Sequence, residues 1–175
     1  MAVRVQTEPF DAGALLSDFS RGRTASGGVV SFTGLARAAT DNQPVGTLEL
    51  DAYPGFTEPA IAAMEAQARA RFAVQDLLIV HRYGPIAPGE AIVFVAAAAE
   101  HRRAAFQAAD FLMDYLKTRA PFWKKETGPA GERWIEPRPS DYDDLERWSV
   151  SQALSGDVAA GSAQESATSR SERTA

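Results

Sequence analysis

Two glycines and two prolines within six positions constrain this chain more than any other stretch. Gly84, Pro85, Pro88 and Gly89 separate two apolar, β-branched runs, Asp76 to Tyr83 and Ala91 to Ala97. These residue types favour turns, and a connection this short cannot carry a helical crossover between parallel strands, so the two runs are expected to pair antiparallel. Three further stretches read as strands, on enrichment in β-branched and aromatic residues with turn residues at their ends: Val3 to Thr7, Gly28 to Thr33 and Thr47 to Ala52. Helical patterns fall between them. Asp11 fits the N-cap of a short helix to Phe19, and Thr57, with Glu58 and Pro59 in the first turn, fits the cap of a longer one to about Phe72. A third helix is expected from Arg102 to Arg119, stopping at Ala120 because Pro121 disfavours helical geometry in the residue before it. The pattern predicts an α+β fold with a mostly antiparallel sheet.

The chain has 175 residues, which suits one domain plus an extension. From Ser149 onward there is no aromatic residue, and Ser, Ala and Gly dominate. Such a segment buries too little apolar surface to offset its ordering entropy, so we expect a domain over 1–148 and a disordered tail over 149–175. The N-terminal residues lack the apolar core of a signal peptide, and no apolar run approaches the roughly 18 residues of a membrane span, which predicts a soluble, cytoplasmic protein.

Cysteine is absent, which excludes disulfides, thiolate metal sites and a Cys nucleophile. Any sulfur this chain handles comes from another molecule. The net charge of −5 argues against a general nucleic-acid binder. Its distribution is uneven: Glu100 to Glu126 holds six Lys and Arg against four acids, a local +2 that leaves −7 for the remainder. A cationic patch on an acidic protein suits a small anionic ligand better than a polymer, although solvated helix charges would look the same on charge alone.

That segment, EHRRAAFQAADFLMDYLKTRAPFWKKE, is the richest in chemistry. With Phe106 at zero and about 100° per residue, Ala105, Ala109, Leu112, Met113 and Leu116 lie within about 120°, an expected core-facing stripe. Lys117 falls at about +20° and Arg102 at about −40°, so neither is expected on the solvated face. A lone cation in such a place ordinarily snorkels, its stem packed and its charge in water. Two of them, with Lys124 and Lys125 following an aromatic pair, suggest more. Desolvation and neighbouring cations lower a lysine's pKa and make a tunable amine, whereas arginine stays charged and holds anions. His101, beside Arg102 at the helix start, could hold a phosphate together with the free N–H groups there, or serve as a cap or surface residue. His81, inside the strand pattern LLIVHRYG, reads as structural, and two histidines without cysteine make a zinc site a poor fit. SGGVVSFTGLAR, ending at Arg37, is a glycine-opened strand and not a dinucleotide fingerprint, because its glycines precede the strand instead of opening a helix.

Five blocks now stand in order: GGVVSFTGLAR, LELDAYPGFTEPA, VHRYGPIAPGEAIVFV, EHRRAAFQAADFLMDYLKTRAPFWKKE and GERWIEPR. In order and spacing they resemble the large, catalytic subunit family of molybdopterin synthase, over roughly Val3 to Trp148, and MDYLKTRAPFWKKE is the most specific of the matches. The resemblance implies an α/β hammerhead fold and a homodimer, with each protomer binding a small ubiquitin-like subunit to make a heterotetramer. That subunit's C-terminal thiocarboxylate would supply sulfur for two transfers to cyclic pyranopterin monophosphate, giving the molybdopterin dithiolene, with no metal and no cofactor needed. By motif, Lys117 is implied as the principal catalytic residue and Lys124 as its partner. Arg37, His101 and Arg102 look like ligands for the pterin and its phosphate. Leu35 and Ala36, and likewise Lys125 and Glu126, are implied to line the pocket through backbone groups, and Arg138 is a further anion contact. The alternative, a subunit that keeps the fold but only docks the ubiquitin-like partner, is opposed by intact Lys117, Lys124, Arg37 and His101.

Overall fold

The run AIVFVAAAA is buried on both faces, and the first layer of the fold is built around it. The computed structural model describes residues 2–53 and 55–149. Five strands and three helices match the expected stretches: β1 (Val3–Gln6), α1 (Ala12–Ser20), β2 (Gly28–Leu35), β5 (Thr47–Ala52), α2 (Thr57–Arg71), β6 (Asp76–Arg82), β8 (Ala91–Ala99) and α3 (Arg102–Thr118). Interleaved are the short β3 (Ala39–Thr40), β4 (Gln43–Pro44) and β7 (Gly84–Ile86), and α3 is followed by β9 (Phe122–Gly128) and β10 (Gly131–Ile135).

The first sheet has the order β1-β6-β8-β2. Strands β6 and β8 are antiparallel, with Ile79 opposite Val95, as the short connection requires. Strand β1 adds to β6 in parallel. On one face Phe19 of α1 packs against Val80, Phe94, Ala96 and Ala98. The alternate residues Val95, Ala97 and Ala99 point to the other face, where α3 packs. Alanines along β8 let a helix approach closely on each side.

The expected α+β fold with mostly antiparallel pairing is present, divided among more than one sheet. A second four-stranded sheet, β10-β9-β5-β7, stands beside the first. The connection between β6 and β8 is more than a turn: Gly84 to Ile86 leave the first sheet and pair antiparallel with β5, Leu48 opposite Ile86. Strand β9 pairs with both β5 and β10. FWKKETG and GERWI carry too many charges and too few β-branched residues to read as strands in isolation; pairing with β5 makes them so.

Two helical details are also corrected. Asp11 does cap α1, accepting the Ala14 N–H at 3.0 Å. The N-cap of α2, however, is Phe56, which makes no side-chain cap bond, and Thr57 is the first helical residue. Its hydroxyl accepts the Tyr53 N–H at 2.8 Å and donates to the Pro121 carbonyl at 3.2 Å, so it joins the start of α2 to the start of β9.

The buried face of α3 comprises Ala105, Ala108, Ala109, Phe111, Leu112 and Leu116. It is rotated from the expected stripe because Phe111 joins it, meeting Phe72 edge-to-face at 5.4 Å and Tyr115 at 4.3 Å. Burying an aromatic ring of this size contributes about 2 to 3 kcal/mol, enough to set the helix rotation. Arg102 and Lys117, expected off the solvated face, are exposed, and Phe106 between them is 60% exposed.

The chain divides into two compact units at Pro137/Arg138. In the second, residues 139–149 are helical. Its start is closed by a reciprocal pair: the Arg138 N–H donates to Asp141 Oδ2 at 2.8 Å, and the Asp141 N–H to the Arg138 carbonyl at 2.9 Å. Ser149, the first residue of the expected tail, is described; 150–175 lie outside the described residues. No helix among the described residues is long and apolar enough to cross a membrane.

Candidate active site

Strand β2 delivers the first group of residues. Its register against β8 shifts at Gly34/Leu35, and the chain leaves the ladder there. Leu35 is exposed, Ala36 is buried and Arg37 is exposed. Both polar groups of Ala36 are held by the 84–90 turn: its N–H donates to the Glu90 carbonyl at 2.9 Å, and its carbonyl accepts the Gly89 N–H at 2.8 Å. Its methyl packs with Leu48, Leu50 and Ile86 on the second sheet.

After Arg37 the chain makes the β3–β4 hairpin, whose turn residues Asp41 and Asn42 have φ of 51° and 62°. Asp and Asn are the side-chain-bearing types best tolerated in that left-handed region. The hairpin is tied down by Glu126, one of whose oxygens accepts the Thr40 hydroxyl at 2.8 Å and the other the Arg133 guanidinium at 2.9 Å. Gly128 permits the close approach, since a Cβ there would lie 2.3 Å from the Pro44 carbonyl oxygen.

Strand β9 sorts its charged residues by alternation. Lys124 stands opposite Leu50 and Glu126 opposite Leu48, which places both on the side of the sheet that carries the Ala36 cluster. Lys125 faces the other way. Its ammonium pairs with Glu49 at 3.1 Å and Glu132 at 3.5 Å, Glu49 foremost in raising its pKa above the ordinary lysine value. An amine so held stays a cation, whereas Lys124 is half-buried beside an apolar cluster. His81 lies nearby, its ring stacked on Phe122. Burial pushes the His81 pKa down to about 4; the Lys124 charge acts in the same direction, against the opposing hydrogen bond to the Arg82 carbonyl.

Helix α3 spans the remaining candidates. Lys117 lies in its last turn, and three residues carry the chain from Thr118 to Phe122, where Lys124 follows. His101 is the N-cap at the other end, without a side-chain cap bond, and Arg102 begins the helix. Gly27 donates its N–H to the Ala99 carbonyl, and a Cβ there would lie 2.1 Å from the Glu100 carbonyl oxygen, so only glycine fits beside this end. Neither Arg37 nor Arg102 has a side-chain ion pair among the described residues. Arg102 and Lys117 are fifteen residues apart on one helix, about 22 Å along its axis, so a single chain does not bring them together. Arg138 belongs to the second unit and is exposed.

One chain therefore gathers the Ala36–Arg37 loop, Lys124 and Glu126 around one side of the second sheet, with Lys117 on the helix that leads into it. The family profile described as MoaE protein matches residues 5–119. A curated relative from Caulobacter vibrioides, a molybdopterin synthase catalytic subunit, is 58% identical over 148 residues, covering 85% of this chain and 97% of its own. The chain belongs to the MoaE family of molybdopterin synthase catalytic subunits.

Solved structures agree. The molybdopterin biosynthesis MoaE protein from Burkholderia ambifaria superposes with a TM-score of 0.72 at 43% identity, covering 85% of this chain and 99% of that one. A chain from the Helicobacter pylori protein–protein complex of subunits 1 and 2 of molybdopterin-converting factor shares the fold, with a TM-score of 0.66 at 18% identity over 79% of this chain and 92% of that one. Beyond the residues legible as MoaE motifs, the structure adds Thr40, Arg133, Arg82 and Glu90, none singled out by sequence. Arg82 alone carried a signal, a charged residue inside an apolar strand pattern.

Proposed function

We propose that this MoaE chain, as a soluble cytoplasmic enzyme, transfers sulfur from the C-terminal thiocarboxylate of a small ubiquitin-like subunit to cyclic pyranopterin monophosphate. Two transfers make the molybdopterin dithiolene. The observation that carries the reading is the convergence of the Arg37 loop and Lys124 on one side of the second sheet, beside the helix that bears Lys117. Arg37, which has no ion pair among the described residues, is suited to neutralise the substrate phosphate. Leu35, Ala36 and Glu126 shape that side of the sheet. Lys117 and Lys124 assist sulfur attack by proton transfer and by stabilising developing negative charge. The absence of cysteine fits a sulfur supplied by the partner.

His101 and Arg102 enter through a homodimer, in our reading, with one small subunit on each protomer. Arg102, Phe106, Met113 and Lys117 fall within about 60° of arc on α3. Two such helices packed antiparallel along that stripe would bring Arg102 of one chain toward Lys117 of the other, and the exposed Phe106 gives the contact an apolar centre. On this scheme Lys125 contributes backbone groups only, and Arg138 is a further candidate anion contact. The direct test supplies the thiocarboxylated small subunit and cyclic pyranopterin monophosphate and measures dithiolene product. Formation of product supports the reading, and its absence with a competent small subunit defeats it.

A further inference from the structure

Arg82 is a charged side chain only 5% exposed, in a strand that otherwise serves the core. Its guanidinium donates to Glu90 Oε2 at 3.2 Å, to the Ala91 carbonyl at 3.3 Å and to the Thr7 carbonyl at 3.4 Å. The same Glu90 oxygen accepts the Ala87 N–H at 3.0 Å, which closes the turn from within. That hydrogen bond, then the one from Arg82, holds the Glu90 carboxyl below its ordinary pKa. With the Glu90 side chain 42% exposed, its ion pair with Arg82 contributes little net stability. What it supplies is geometry. The turn it fixes, 87–90, is the one that grips Ala36 at both its N–H and its carbonyl.

We infer that Arg82 and Glu90 are positioning residues for Arg37, acting through the 87–90 turn and the backbone of Ala36. The inference rests on the proposed role of Arg37 as a ligand for the substrate phosphate. Arg37 lies outside both strand ladders, and among the described residues the backbone bonds next to it are those of Ala36 to the turn and of Ala38 to Val45. Loosening the turn leaves the arginine in place in sequence and misplaced in space. Neither Arg82 nor Glu90 touches substrate in this scheme.

The test is steady-state sulfur transfer with Arg37→Ala, Glu90→Ala and the double variant, with the thermal midpoint of each measured alongside. We expect Arg37→Ala to raise the KM for cyclic pyranopterin monophosphate about tenfold, and Glu90→Ala to raise it about three- to tenfold with kcat within about twofold. In the Arg37→Ala background, Glu90→Ala should add less than about 1.5-fold, because the group it positions is gone. Glu90→Gln, which still accepts the Ala87 N–H but loses the ion pair with Arg82, should raise KM about two- to threefold, less than Glu90→Ala, and serves if Glu90→Ala does not fold. Full multiplication of the two effects, or a lowered thermal midpoint with KM unchanged in the Glu90 variants, overturns the positioning role while leaving Arg37 as a ligand. An unchanged KM in Arg37→Ala removes Arg37 from the site and the positioning role with it.

Discussion

The His81 ring lies 4.1 Å from that of Phe122 and within 18° of parallel, joining the first sheet to the second just before Lys124. Its Nδ1 is 2.8 Å from the Arg82 carbonyl oxygen, which can only accept, so the neutral ring carries its proton on Nδ1.

That ring makes stability depend on pH. Burial lowers the His81 pKa from 6.5 to about 4. Between those values the unfolded chain binds a proton that the folded chain does not, so stability falls as pH drops from 6.5 toward 4 and the loss levels off below. The His81 share amounts to about 3 kcal/mol. Denaturant unfolding across this range should therefore show a steeper pH slope for wild type than for His81→Gln, by about one proton. Parallel slopes would show that His81 is protonated in the folded state.

Lys117→Ala should reduce product formation by about a hundredfold or more while leaving the unfolding transition unchanged, since an exposed lysine fills no core space. Lys124→Ala should also impair turnover, less completely. Single-turnover assays of both variants, with circular dichroism as the folding control, check this; normal turnover in Lys117→Ala overturns the assignment.

A shared active site predicts complementation. Arg102→Ala and Lys117→Ala proteins, each inactive, should regain activity when mixed, because a mixed dimer holds one site with neither substitution. With random exchange half the dimers are mixed, so recovery should approach about a quarter of wild-type activity. If mass spectrometry confirms subunit exchange and no activity returns, the two residues serve different sites.

Removing 149–175 should leave turnover and the thermal midpoint nearly unchanged, since that composition offers few apolar side chains to dock. A fall of more than about 5 °C would show that the segment packs on the domain.

How far the site could be read in advance depended on the range of the interactions that build it. MDYLKTRAPFWKKE and FTGLAR are contiguous strings, and their lysines and arginine were evident at once. Thr40, Arg133, Arg82 and Glu90 were not, because each matters through a contact that no local pattern signals, as Thr40 does through Glu126 far along the chain.

Local chemistry, which needs only near neighbours, determined the pairing across the GPIAPG turn, the Asp11 cap, the end of α3 before Pro121 and the lack of any cysteine thiol. Tertiary structure decided the rest. It turned α3 about its axis when Phe111 found Phe72, made strands of the charged FWKKETG and GERWI by pairing them beside β5, and placed Lys124 and Lys125 on opposite faces. Each of these depends on which surface a residue meets, and that surface exists only once segments distant in the chain have packed together.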